Sequence, residues 1–169
     1  MRYGPFEHLL SERASRLTTS CVAIEMNGMT DTRVYLDANV FIYAVEGQPD
    51  VADPVRSLFE LFRRGRAIGV TSELTLAEVL AGAIDVRRRS YLSLIAWSRI
   101  FELQPVSRDV LIETAEYRKH AGMPKLPDAV HVVTAIRSGC RKILSADSRL
   151  RLPDGFASIF RLTGKICHA

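Results

Sequence analysis

Residues 34–43 read VYLDANVFIY, and this segment predicts a short strand that passes directly into a helix. Its first three residues form a β-prone apolar run of the kind found in buried parallel strands. Asp37 ends this run, and the apolar residues that follow it as far as Val45 are expected to be helical. The segment therefore places a carboxylate at the junction between a strand and a helix.

The same alternation of strand and helix continues along the chain. Apolar runs bounded by turn residues predict four further strands, at residues 67–71, 101–106, 142–145 and 157–162. Helices are predicted to begin near residues 55, 73, 86, 107 and 127. In the helix over residues 86–100 we expect a buried face formed by Tyr91, Leu94, Ile95 and Trp97. This alternation indicates an α/β fold, a three-layer α/β/α sandwich around a mostly parallel sheet.

The composition bounds the class of protein. The 169 residues are enough for one domain with its own hydrophobic core. No apolar run approaches the roughly 20 residues that span a bilayer, and no signal peptide is evident, so we expect a cytoplasmic protein without a membrane partner. The net charge of +4 suits a polyanionic partner but does not select a reaction. The three cysteines are widely spaced, which argues against a zinc site.

Four acidic residues fall near strand ends, where ligand sites form in open α/β sheets. Asp37 ends the first predicted strand and Asp147 follows the fourth, while Glu78 and Asp128 lie in the helices after the second strand and before the fourth. Taken singly, each acid has a simpler interpretation, as a turn residue, an N-cap, a solvated helix residue or a helix-dipole partner. Together they favour a site, because converging carboxylates repel one another and a hard divalent cation relieves that repulsion.

Four segments resemble the motifs of PIN domains, and of VapC toxins in particular. They are YLDANVFIY (residues 35–43), TLAEVL (75–80), LPDAVHVVTA (126–135) and LSAD (144–147). Their order and spacing fit the family, the resemblance covers about residues 33–162, and no acidic position of the pattern is missing. Ser145 stands where a threonine is often found, which keeps the hydroxyl group.

The resemblance implies a ribonuclease that hydrolyses RNA phosphodiester bonds with Mg²⁺ or Mn²⁺ and leaves a 5′-phosphate. It assigns catalysis and metal binding, directly or through water, to four carboxylates: Asp37, Glu78, Asp128 and Asp147. Asn39 and Ser145 become candidates for hydrogen bonds that orient these carboxylates. His131, three residues after Asp128, is interpreted as structural.

The resemblance also implies partners. They are the RNA substrate, a second copy of the chain in a homodimer, and a cognate VapB-type antitoxin that blocks the acidic pocket, often with an arginine. The arginines at positions 63, 64, 66 and 87–89 could grip phosphates, although such clusters are more often solvated helix faces.

Three functions remain open at this point. The first is the toxin of a VapBC-type toxin–antitoxin pair, and the second is a PIN-fold nuclease of RNA maturation. The third is a catalytically silent PIN module that binds nucleic acid, against which the retention of all four acids argues. A phosphoacceptor receiver domain is disfavoured, because no adjacent acid pair stands near its start.

The domain organisation we expect has three parts: an N-terminal extension over residues 1–32, a PIN domain over residues 33–162 and a C-terminal tail over residues 163–169. VapC-like chains usually reach the first strand within a few residues of their start. If the extension is present, we expect it to be partly helical or disordered. Met26 and Met29 lie at about that distance from the first strand, however, so we expect translation to begin at one of them and the upstream residues not to belong to the protein. The alternative is a genuine extension whose Phe6–Leu10 segment docks as a short amphipathic helix.

Overall fold

The computed structural model describes residues 32–147, 150, 152–154 and 156, and the backbone of residues 158–161. The predicted N-terminal extension up to residue 31 and the predicted C-terminal tail lie outside these residues. The expected translation start at Met26 or Met29 lies outside them as well.

A five-stranded sheet forms the centre of the molecule, in the order β3-β2-β1-β4-β5. The strands are β1 (Arg33–Leu36), β2 (Ile68–Ser72), β3 (Phe101–Gln104), β4 (Lys142–Ser145) and β5 (Ser158–Arg161). Every neighbouring pair runs parallel. This confirms the parallel sheet predicted from the alternation of strands and helices, and it brings the carboxyl ends of β1 and β4 side by side.

One face of the sheet is covered by the helices that follow β1 and β2. They are α1 (Ala38–Glu46), α2 (Pro49–Arg63), α3 (Glu73–Ala81) and α4 (Asp85–Tyr91). Val34 and Leu36 of β1 pack into the core cluster that these helices share, with Phe41 of α1 and Phe59 of α2 fully or nearly buried. Strand residues two apart share a face, so these contacts set the orientation of β1.

The opposite face is covered by α5 (Arg108–His120) and α6 (Leu126–Arg137). Tyr35, which lies between Val34 and Leu36, packs there against Val132 and Ala135 of α6. Helices on both faces confirm the predicted α/β/α sandwich. None of the helices in the described part of the chain is both long and apolar enough to cross a bilayer.

The prediction that Trp97 is buried is wrong. Tyr91 and Ile95 are buried as expected and Leu94 is half-buried, but Trp97 is 66% exposed. After α4 the helix widens into a π-helical segment, Leu92–Trp97. A π-helix bonds each residue to the fifth one along rather than the fourth, so it rotates later positions away from the face that a period of 3.6 residues predicts.

Candidate metal centre

Asp37 is held by three donors at the carboxyl end of β1. It is the N-cap of α1, and its Oδ1 accepts a hydrogen bond of 2.6 Å from the Ala38 backbone N–H. Its Oδ2 accepts from Ser145 Oγ of β4 at 2.5 Å and from Asn39 Nδ2 at 3.3 Å. The side chain is only 12% exposed. The structure thus brings both predicted orienting residues, Asn39 and Ser145, onto one buried carboxylate, and such bonds hold an ionised carboxyl group in place.

His131 lies between Glu78 and Asp37 and contacts both carboxylates. His131 Nε2 lies 2.8 Å from Glu78 Oε2 and 3.5 Å from Asp37 Oδ1. Within the described residues, these three side chains offer ligand atoms that lie within 4.8 Å of one another. Glu78 comes from α3 and His131 from α6, so helices on both faces of the sheet contribute to one cluster.

The buried hydroxyl of Tyr35 sets the orientation of His131. Tyr35 Oη lies 2.8 Å from His131 Nδ1. Burial raises the pKa of the Tyr35 hydroxyl above its usual range, and the charges of Asp37 and Glu78 raise it further. A hydroxyl that keeps its proton can donate to Nδ1, which leaves the N–H of a neutral imidazole on Nε2. In this tautomer Nε2–H donates to Glu78, so the ring acts as an orienting group for that carboxylate.

Asp128 and Asp147 are the other two predicted acids, and neither belongs to the group of three side chains whose ligand atoms lie within 4.8 Å of one another. Asp128 lies half-buried in the first turn of α6. Burial raises the pKa of the Asp128 carboxyl above its ordinary value, and the charges of Asp147 and Asp37 raise it further. The Asp147 backbone N–H donates to Ser145 Oγ at 3.0 Å. The Ser145 hydroxyl therefore joins Asp147 and Asp37, and the four predicted acids lie at one edge of the sheet.

This donor set fits a hard divalent cation. Carboxylate oxygens are the ligands that Mg²⁺ and Mn²⁺ prefer. Burial is the largest cause of the raised pKa of Asp128, and the charges of Asp147 and Asp37 add to it. A bound cation would remove the part that comes from like charges. His131 Nε2 lies 2.8 Å from Glu78 Oε2, so we expect the carboxylates to be the ligands.

Two residues of this site are difficult to identify from the sequence alone. His131 is interpreted there as structural, whereas the structure places it between Glu78 and Asp37. The available signal is its spacing, because residues three apart on a helix lie on one side, and Asp128 is three residues earlier. Thr71 is the second residue. Its Oγ1 lies 2.9 Å from the Leu36 carbonyl and from Thr75 Oγ1, which fixes the end of β1 at the residue before Asp37.

The family model described as PIN domain matches residues 34–155 of the chain. No curated protein matches it.

Solved structures with a similar fold are distant in sequence. A toxin–antitoxin complex from Klebsiella pneumoniae shares 19% identity at a TM-score of 0.55, over 77% of this chain and 98% of the other. VapC20 of Mycobacterium tuberculosis, described as a sarcin–ricin loop cleaving toxin, shares 13% at 0.55, over 69% and 92%. VapBC2 of Rickettsia felis, bound to a DNA fragment from its promoter, shares 18% at 0.53, over 69% and 89%. At these identities the likeness concerns the fold.

Proposed function

The chain belongs to the PIN domain family, and from that premise we propose that it is a metal-dependent ribonuclease, the toxin of a VapBC-type toxin–antitoxin pair. The observation that carries the proposal is the position of Asp37, Glu78, Asp128 and Asp147 at one edge of the sheet, with Asp37 buried and held by three donors. A buried carboxylate that is already oriented is suited to bind a cation without further rearrangement.

A bound Mg²⁺ or Mn²⁺ would supply a water of lowered pKa and would neutralise charge on the phosphoryl oxygens. The residues of the chain hold the carboxylates in position. Asp37 presents a fixed negative charge, because Ala38, Asn39 and Ser145 occupy its other lone pairs. His131 fixes the Glu78 carboxylate from the opposite side.

RNA is the substrate we propose. The net charge of +4 favours a polyanion over the whole molecule, even though the site itself is acidic. One of the structures with this fold is described as a toxin that cleaves the sarcin–ricin loop. We also propose an antitoxin as partner, since two of the similar structures are a toxin–antitoxin complex and a VapBC assembly, and a homodimer as the assembly of the chain itself.

Cleavage by the purified full chain tests the proposal. We expect RNA to be cut with Mg²⁺ or Mn²⁺, EDTA to stop the reaction, and Asp37→Asn to abolish it while the protein remains folded. Asp53→Asn is the matched control, because Asp53 is an exposed acid of α2 that pairs with Arg56 at 3.4 Å. Cleavage that survives EDTA or Asp37→Asn would refute the assignment of the site.

Growth of the expressing cell tests the toxin role. Induction of the chain alone should arrest growth, and co-expression of the neighbouring antitoxin gene should restore it. Normal growth in the presence of soluble, metal-active protein would favour a nuclease of RNA maturation instead.

A further inference from the structure

The loop between α5 and α6 places a positively charged side chain, Lys125, next to the acidic site. Lys125 immediately precedes α6, and its carbonyl accepts a hydrogen bond of 3.0 Å from the Ala129 N–H in the first turn of that helix. Asp128 lies in the same turn. Lys125 is exposed, and no ion pair between it and a carboxylate is found in the described part of the chain. Its charge acts on Asp128, lowering the pKa of that carboxyl against the larger effect of burial, so a positive charge stands beside the acids.

The same loop holds a strained residue. Gly122, with φ of +75°, supplies the left-handed residue with which many helices end. Met123 follows with φ of +56°, although it has a side chain and precedes Pro124. Residues other than glycine rarely adopt this conformation, and a following proline favours extended backbone instead.

Arg118 keeps the loop in this conformation. Its carbonyl accepts from the Met123 N–H at 2.8 Å, and its Nε donates to the Pro124 carbonyl at 2.8 Å. The strain therefore persists because neighbouring bonds impose it, as is typical of functional sites.

The strained loop presents apolar side chains to solvent. Met123 is 62% exposed and Leu126 is 52% exposed, one on each side of Pro124 and Lys125. Bases of single-stranded nucleic acids stack on aromatic side chains, and extruded bases also pack against apolar ones. Lysines pair with the phosphates between them. The loop thus combines both kinds of contact within four residues, next to the acids.

We propose that Met123, Lys125 and Leu126 form a nucleotide-positioning loop, in which Lys125 pairs with an RNA phosphate adjacent to the scissile one and the two apolar side chains support the neighbouring base. The inference rests on the proposed function, because it assigns these residues to the same substrate. The cation offsets the repulsion between an acidic site and a polyanion. The apolar contact is indifferent to base identity, so it positions the strand without selecting a sequence.

Glycine substitution at the two strained positions separates positioning from structure. Met123 and Arg99 are the described residues other than glycine with positive φ, and Arg99 (φ of +57°) precedes β3, at the opposite edge of the sheet. Met123→Gly and Arg99→Gly should each raise the melting temperature by roughly 1–3 °C, because glycine relieves the left-handed conformation. Only Met123→Gly should weaken RNA binding, by roughly threefold.

Lys125→Gln tests the phosphate contact. It should weaken binding by roughly three- to tenfold and reduce the slope of log K against log salt by about 0.7, the value for one phosphate contact on a single strand. Arg99→Gly serves here as well, since it removes one positive charge away from the site and should leave both quantities unchanged.

The probe is a short fluorescein-labelled single-stranded RNA of mixed sequence, and its fluorescence anisotropy is measured in EDTA so that no cleavage occurs. In cleavage of the same RNA with Mg²⁺, full-length Met123→Gly and Lys125→Gln should show a raised KM and a kcat close to that of the wild type.

Wild-type affinity in both Met123→Gly and Lys125→Gln would overturn the inference even if the wild type cleaves RNA. Variants that bind RNA normally but lose inhibition by the co-expressed antitoxin would overturn it too, by assigning the loop to a protein partner. A wild type that binds RNA through this loop without cleaving it would leave the inference intact and refute the proposed function.

Discussion

The sheet differs in the arrangement of charged side chains between the amino ends of its strands (the amino edge) and their carboxyl ends (the carboxyl edge). At the amino edge, Arg33 at the start of β1 forms an ion pair with Glu102 of β3 and donates from Nε to the Ser138 carbonyl at 2.6 Å. At the carboxyl edge, burial and then the charges of Asp147 and Asp37 raise the pKa of the Asp128 carboxyl. At the amino edge the two charges pair with each other, whereas at the carboxyl edge His131 and Lys125 offset only part of the effect of like charges on Asp128. A protein keeps such repulsion where function requires it.

Removal of one acid from each edge should show this difference with the largest effect. Asp128→Asn at the carboxyl edge should reduce RNA cleavage by about 10²–10³-fold, because it removes a charge that stabilises the reacting centre. Glu102→Gln at the amino edge should leave cleavage per folded molecule unchanged and lower stability by about 0.2–1 kcal/mol, as expected for an exposed ion pair. The assays are steady-state cleavage and urea denaturation. Equal losses of cleavage in the two variants would mean that the edges do not differ in function.

Two buried tyrosines allow a hydrogen bond at the site to be compared with one away from it. Tyr35 Oη lies 2.8 Å from His131 Nδ1 at the site, whereas Tyr91 donates to Glu46 at 2.6 Å in the helical layer on the other face of the sheet. Tyr35→Phe and Tyr91→Phe should each lower stability by about 0.5–1.5 kcal/mol, because each removes one hydrogen bond. Only Tyr35→Phe should also weaken Mn²⁺ binding, by roughly tenfold, since it releases His131 and through it Glu78. Calorimetry measures both quantities, and unchanged Mn²⁺ affinity in Tyr35→Phe would exclude the orienting role of His131.

The sequence predicts most of the framework of the site. Asp37 and Asp147 follow apolar runs that form neighbouring parallel strands, and the carboxyl ends of such strands share one edge. Tyr35 and His131 are different, because their contact depends on which face of β1 meets α6, and only the packed sheet fixes that. The burial of Trp97 is wrongly predicted because the helix changes to a π-helix at Leu92, and no local sequence pattern indicates this change.

A smaller effect concerns the pH dependence of stability without metal. The pKa of Asp128 is raised in the folded chain, so its protonated form favours folding. This contribution is complete below the pKa of the unfolded chain, about 3.9 for an aspartate, and is lost as the pH rises through the folded value. In EDTA, Asp128→Asn should therefore match the wild type at low pH and become more stable than the wild type near neutral pH. A pH series of melting temperatures checks this, and a variant less stable than the wild type at neutral pH would contradict it.

Titration of Mn²⁺ into three full-length proteins tests the metal centre most directly. Wild type and Asp53→Asn should bind Mn²⁺ with the same affinity, because Asp53 lies in α2 and takes no part in the acidic group. Asp37→Asn should bind at least about tenfold more weakly, since it removes the buried carboxylate that Ala38, Asn39 and Ser145 hold in place. Equal affinity in all three proteins, or no binding by the wild type, would contradict a metal centre at the carboxyl edge of the sheet.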